Sequence, residues 1–361
     1  MKSNITIPGK GLKSGWQSPS NIALIKYWGK HGHQLPRNAS LSITLNNAIT
    51  RTRVKISPAI DEVAGLKLDF KFGGEKNPAF AAKTEAFLNS LVDQFPFLSN
   101  CLLEIETDNS FPHSAGIASS ASAMSALALC LCDIDNKLTQ RKEDWSAFLL
   151  RASNIARLGS GSASRSVYGG YSVWGKHPDV IGSSDEYAVP LPFIPHEIFT
   201  KIRNSIFIVD ATAKKVSSSV GHNLMNGHPF AEARFEQAKN NLSAMLKVLE
   251  SGNWNEFTRI TENEAMSLHA MMMSSNPGYM LMHPNTLVII DKMKQFREQS
   301  GVKVCFTLDA GPNVHLLYPE SEAEIIKPLL SDIQEICINK AFIDDKIGNG
   351  PANLNYSDDE E

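Results

Sequence analysis

No apolar run in this 361-residue chain approaches the roughly 18 residues that a membrane-spanning helix requires. The start, MKSNITIPGKGLKSG, is polar and glycine-rich, with no apolar stretch after a basic opening, so no secretory leader and a cytoplasmic location are expected. Five cysteines are too few for a disulfide framework at this length. Cys130 and Cys132 stand two apart on a predicted helix and face different directions, which suits small buried residues rather than a ligand pair. Positive charge is not in excess either. The 35 Lys and Arg against 38 Asp and Glu give a formal charge of −3, which argues against a nucleic-acid or membrane-surface binder. Small anions need only a local cluster of donors and stay open as ligands.

What is present is an ordinary globular mixture, 42% hydrophobic and 20% charged, long enough for about two domains. NIALIKYW reads as a strand, and SLSITLNNAITRTRVKI as two strands around a turn at Asn46-Asn47, with Leu41, Ile43 and Leu45 on one face. LKLDFKF alternates, with Leu66, Leu68, Phe70 and Phe72 inward, and ends at the turn signal Gly73-Gly74. AAKTEAFLNSLVDQF has helical spacing and CLLEIETDN returns to strand. Strands this close in sequence favour antiparallel pairing, so the expected class is α+β rather than a doubly wound parallel sheet. Helices are expected over 119–133, 145–158 and 326–337 and around Phe230, Trp254 and Pro284, with strands at YSVWGK, NSIFIVD and VKVCFTLD. The proline-punctuated segment 183–195 marks a boundary, giving expected domains 1–190 and 191–350 and an acidic tail 351–361. No internal repeat is found.

Four segments carry chemistry. In FPHSAGIASSASAMSALAL, a small-residue loop with the hydroxyls of Ser119 and Ser120 opens a helix whose positive end suits a phosphate. Its lack of Gly-Lys-Ser/Thr separates it from the Walker pattern, and tight helix packing would also explain it. In ARLGSGSASRSVYGG, Ser160, Ser162 and Ser164 precede Arg165, whose guanidinium can grip a carboxylate with two parallel hydrogen bonds; a flexible serine-rich loop is the alternative. In SNIALIKYWGK, Lys26 and Lys30 share strand parity, and an inward lysine without an acidic neighbour needs an anion, although a surface pair is common. In CFTLDAGPNVHLLY, a buried strand delivers Asp309 into a Gly-Pro turn, a placement that suits a catalytic base or a turn cap.

NIALIKYWGK, AGIASSASA, SGSASRSVYGG and DAGPN occur in that order over residues 21–313. The chain therefore resembles the galactokinase–homoserine kinase–mevalonate kinase–phosphomevalonate kinase superfamily and, within it, the mevalonate diphosphate decarboxylases. The resemblance implies a two-domain α+β fold with an interdomain cleft, ATP and Mg2+ as cofactors, and a homodimer. It implies Asp309 as the base for a tertiary C3 hydroxyl, Lys26 as a charge stabiliser beside it, and Arg165 on the substrate carboxylate. Tyr27, Lys30, Ser160, Ser162 and Ser218 would contact the 5-diphosphate, with Trp28, Gly29, Gly161, Ala163 and Ser164 in the same substrate segments. Lys83 matches loosely an arginine that assists the substrate phosphate. Gly116, Ala118, Ser119 and Ser120 would cradle the ATP phosphates.

Some positions depart from the family pattern. His113 and Ser114 replace the usual opening of the phosphate loop, Ser164 stands for a frequent Cys, His222 for Met, and Ser219 for an Arg of some bacterial members. The last of these leaves a 5-monophosphate substrate open. A 3-kinase that stops at the phosphorylated product, and a silent binding protein on the same fold, are the competing readings; the filled catalytic positions favour the decarboxylase. His31 and His33 read as polar loop residues, Met271–Met273 with His269 as core, and Lys214-Lys215 as either a solvated edge or a phosphate attractor.

Overall fold

In the computed structural model, which describes residues 6–59, 65–111, 117–211 and 216–356, two long strands organise the fold. β1 (Leu12–Ile25) leads through the short hairpin β2 (Lys30–His31) and β3 (Leu35–Pro36) into β4 (Ser40–Pro58). β1 and β4 pair antiparallel from Leu12↔Ile56 to Ile25↔Leu41, with register shifts at Pro19/Asn21 and Ala23/Ile25. The two strands expected on either side of Asn46-Asn47 are thus one. The N–H groups of Asn46, Asn47 and Ala48 donate to the Asp345 carboxylate at 2.9, 2.8 and 2.8 Å. A carboxylate almost 300 positions away satisfies donors that a local turn would otherwise have to satisfy.

β5 (Gly65–Phe72) and β6 (Glu75–Lys76) form a hairpin, followed by α1 (Pro78–Asn89), β7 (Asn100–Asn109), α2 (Ser119–Thr139), α3 (Trp145–Gly159), β8 (Tyr171–Trp174) and β9 (Ala188–Pro190). α1 carries the chain back across the sheet, so β5 and β7 run parallel, an exception to the antiparallel expectation that a helical crossover requires. The chain continues through α4 (Glu197–Thr200), β10 (Ile202–Phe207), α5 (Ser218–Asn223), α6 (Ala231–Ser251), α7 (Trp254–Met273) and α8 (Pro284–Ser300). It ends with β11 (Cys305–Leu308), β12 (Val314–Pro319), α9 (Ala323–Gln334), β13 (Phe342–Lys346) and β14 (Ala352–Asn353).

The first sheet has the order β14-β1-β4-β7-β5-β6, with β8 on β4 and β9 on β8; the second, fully antiparallel, is β11-β12-β10-β13. The fold is α+β, as expected. β14 pairs with β1 through Trp16↔Asn353 and Gln17↔Ala352, so residues 352–353 are sheet rather than the acidic tail expected from 351 onward. Residues 357–361 of that tail lie outside the described residues.

The β1/β4 pair serves two cores. Its outer half, with Trp16, Val54 and Ile56, packs under α2 and α3. Its inner half, with Ile22, Leu24, Leu41 and Ile43, packs with Leu242 and Met245 of α6 and Phe257 and Ile260 of α7. Each such fully buried side chain contributes about 1.5–3 kcal/mol. The seam between the two cores is where the motifs meet.

Candidate active site

Lys26 follows the last residue of β1 and is 2% exposed. Its ammonium donates to the Ala23 carbonyl at 2.6 Å, and its backbone N–H donates to Glu264 Oε2 at 2.8 Å. Burial pushes its pKa down to about 8, opposed by the negative charges of Asp309 and Glu264. Glu264 on α7 is itself held by Arg234 on α6 at 2.5 Å and by Asn241 at 2.7 Å.

Arg165 sits in the 3-10 turn Gly161–Val167 and is also 2% exposed. Its partners are neutral. Ser40 Oγ accepts from Nη1, and Asn21 Oδ1 accepts from Nε and Nη2, each at 3.4 Å. Asn21 is fixed in turn by donating to Ser166 Oγ at 2.8 Å and to the Ser162 carbonyl at 3.1 Å. The guanidinium lies 5.5 Å from the Tyr27 ring centre and 5.9 Å from that of Trp174. Burial lowers its pKa to about 10, opposed by Tyr27 and Asp309, and burial raises the Tyr27 phenol to about 12.

Asp309 leaves β11 in a turn closed by Gly311 N–H donating to its carbonyl at 2.7 Å. His269 Nε2 bonds the same carbonyl at 3.1 Å, and Asn313 Oδ1 accepts from the N–H groups of Val209 and Asp210 at 2.7 and 3.1 Å, fixing the turn on the second sheet. The Asp309 charge is felt by Lys26, Tyr27 and Arg165. The three motifs thus converge on one cleft of about 700 Å³.

On the opposite wall, Ala118 adopts the left-handed conformation (φ 46°, ψ 42°) immediately before α2. This brings Ser119 and Ser120 to the cleft, with Ser120 Oγ 3.3 Å from Ser160 Oγ and Ser162 Oγ 3.5 Å beyond. Tyr27, Trp28, Lys30, Lys83 and Ser218 also line it. Gly29, Gly161, Ala163 and Ser164 do not. Ser164 spends its hydroxyl on the Gly161 carbonyl at 2.8 Å, and Ala163 is fully buried. Gly161 is a glycine because a Cβ there would lie 2.6 Å from the Trp174 ring and 2.8 Å from the Tyr27 hydroxyl. Gly116, His113, Ser114 and Lys214-Lys215 lie outside the described residues.

A second cavity, about 270 Å³, opens beside the phosphate loop between β5, α1 and α2. Phe70, Phe72 and Phe80 wall it, Thr107 and Asn109 are at its edge, and Ser119, Ser120, Lys83 and Met124 border both cavities. It could not be read from the sequence, because its walls come from five separate elements, β4, β5, α1, β7 and α2. Glu264, Arg234, Asn21 and Ser40 were also missed. Charged or polar residues scattered on amphipathic helices and strands read as surface until the fold pairs them. All five cysteines are free and buried.

Residues 18–188 match a family model described as "Diphosphomevalonate decarboxylase-like N-terminal domain", and residues 205–355 one described as "Mevalonate 5-diphosphate decarboxylase C-terminal domain". A diphosphomevalonate decarboxylase of Candida albicans is 32% identical over 326 residues, covering 87% of this chain and 86% of its own. One of Gibberella zeae is 30% identical over 334 residues, covering 88% and 84%. Among solved structures, mevalonate diphosphate decarboxylase of Staphylococcus aureus superposes with TM-score 0.80 at 28% identity, covering 95% of this chain and 98% of its own. A structure described as "MDDEF in complex with MVAPP, AMPPCP and Magnesium" gives TM-score 0.80 at 27% identity, covering 95% and 99%.

Proposed function

The chain belongs to the diphosphomevalonate decarboxylase family and is an ATP-dependent decarboxylase of mevalonate 5-diphosphate; from that premise we propose that Asp309, Lys26 and Arg165 are its catalytic residues. One observation carries this assignment. A fully buried guanidinium with only neutral hydrogen-bond partners shares a cleft with a carboxylate and a buried lysine.

Asp309 takes the proton of the C3 hydroxyl as its oxygen attacks the γ-phosphoryl group of ATP. A tertiary hydroxyl is a crowded nucleophile, so alignment supplies much of the rate; well-oriented groups contribute roughly 7–11 kcal/mol. Lys26, charged below its pKa of about 8, balances the charge gathering on the transferring group. The C3 phosphate then departs with its bonding pair. The electrons of the bond to the carboxylate form the new double bond as carbon dioxide leaves, giving isopentenyl diphosphate, ADP and phosphate. Arg165 fixes the carboxylate in line with the breaking bond. Its planar grip orients an anion that must finally depart neutral, which a neutralising carboxylate beside it would weaken.

ATP phosphates rest against Ala118, Ser119 and Ser120, and the adenine fills the phenylalanine-walled cavity that opens from the same residues. Ala123→Trp, which fills that cavity, raises the KM for ATP and leaves binding of mevalonate 5-diphosphate unchanged. The donors beside the phosphates are hard oxygens of serines and Asp309, which fit Mg2+. Among the described residues no cluster of three or more His, Cys, Asp or Glu could hold it alone, so nucleotide oxygens would provide most of its ligands. Bound there, the ion supplies neutralisation of phosphate charge. No helix among the described residues is long and apolar enough to cross a membrane. A homodimer and a cytoplasmic location complete the reading, the former checked by light scattering.

With Mg-ATP and mevalonate 5-diphosphate, the purified protein releases carbon dioxide and phosphate in equal amounts. ADP formed without carbon dioxide would instead make it a 3-kinase.

A further inference from the structure

His222, on α5, has its ring orientation fixed from three sides. Nδ1 accepts the Gly29 N–H at 2.9 Å, the ring stacks on Tyr27 with centres 4.7 Å apart, and it tilts against Trp28 at 4.3 Å. A ring nitrogen that accepts a hydrogen bond carries no proton, so the neutral imidazole has its N–H at Nε2. The side chain is 3% exposed and lines the cleft, and Nε2 has no hydrogen-bond partner among the described residues.

The cleft has two poles. Lys26 and Arg165 feel the charge of Asp309, whereas the charged neighbour that acts on His222 is Lys30, and Tyr27 stands between the two, under Arg165 and stacked on His222. A substrate with its hydroxyl and carboxylate at the first pole directs its far, anionic end toward the second. We infer that His222, through Nε2–H and alongside Lys30, is a ligand of the terminal phosphoryl group of the substrate and so selects a diphosphate over a monophosphate. This rests on the decarboxylase reading for which end of the substrate lies where. A fixed neutral donor suits this task because it needs no counter-charge when the cleft is empty, unlike a second buried cation.

His222 also anchors Gly29, so the test must separate the two roles. Asn in its place presents an acceptor where Nδ1 stands and nothing at Nε2; Gln presents a donor near Nε2 and gives up the anchor. The full-length protein and both variants are titrated calorimetrically with mevalonate 5-diphosphate and with mevalonate 5-phosphate. His222→Asn weakens diphosphate binding about tenfold, the worth of one hydrogen bond to a charged group, and monophosphate binding by about threefold or less, while His222→Gln stays within about threefold of the parent for both. Equal losses for the two ligands, equal losses in the two variants, or no loss in His222→Asn would overturn the inference. Carbon dioxide release by the parent protein is measured in parallel. Its absence would defeat the decarboxylase reading, whereas its presence with an unchanged diphosphate preference in His222→Asn would defeat only this one.

Discussion

Two arginines lie within the same seam, each 2–3% exposed, and they are held in opposite ways. Arg234 meets a carboxylate, Glu264, at 2.5 and 3.1 Å, so its charge is cancelled inside the protein. Arg165 meets only an amide oxygen and a hydroxyl. Burying a charge without a counter-charge costs several kcal/mol, and a fold retains one where a ligand completes the pair. The difference separates an arginine that holds two helices to the end of β1 from one that we propose holds substrate, although in the sequence nothing distinguishes the two side chains.

The comparison is sharpest at the acid that shares the cleft with Arg165. Asp309→Asn keeps the shape and removes the base; turnover falls about 10³-fold while the KM for ATP stays near the parent value, measured by carbon dioxide release. Retained turnover would move the base elsewhere. Arg165→Gln lowers kcat/KM about a hundredfold, as expected for a charge-assisted pair with the substrate, and lowers the thermal midpoint far less than loss of a buried ion pair would, because its hydrogen-bond partners Asn21 and Ser40 are neutral. A large drop in that midpoint would place Arg165 with Arg234 as structural. Glu264→Gln behaves the other way. It leaves Arg234 buried and unpaired at a cost of about 3–5 kcal/mol in denaturant unfolding.

The mildest probe is pH. Burial brings the Lys26 ammonium from 10.5 to about 8, so the charged form dominates below that value and is lost above it. Activity per unit kcat/KM therefore falls about tenfold for each pH unit above about 8. Glu264→Gln removes a negative charge that sustains the ammonium, and this alkaline limb moves to lower pH. A limb that stays fixed in the variant would detach Glu264 from catalysis and leave it a purely structural partner.

The three proposed catalytic residues were readable in sequence because each stands in a short, unusual context: Lys26 before Tyr-Trp-Gly, Arg165 inside alternating serines, Asp309 in an Ala-Gly-Pro turn. Their convergence could be stated as an expectation but not measured. The neighbours that tune them were unreadable, since Glu264 and Arg234 sit 30 positions apart on helices whose charges look solvated, and the Asn21 amide belongs to a strand whose partners are 141–145 residues away. The α+β class followed from local spacing. The errors came where distant groups override local signals, at Asn46-Asn47 through Asp345, and in the β5–β7 pair through α1. Of the substrate segments, Ala163 and Ser164 were carried along by motif adjacency, which does not say which side of a turn faces the cleft.

One consequence follows from β14 and the Asp345 carboxylate for how the molecule is made. Both come from residues 345–353, yet one pairs with β1 at Trp16 and Gln17 and the other tethers the middle of β4. A ribosome must therefore deliver the chain through residue 353 before the first sheet is complete, and until then β1 offers an unpaired edge at Trp16 and Gln17 to any other nascent strand. Products that stop short of β14 keep that stretch of edge bare, and raised aggregation of a chain truncated before residue 352, measured by light scattering, is the expected result.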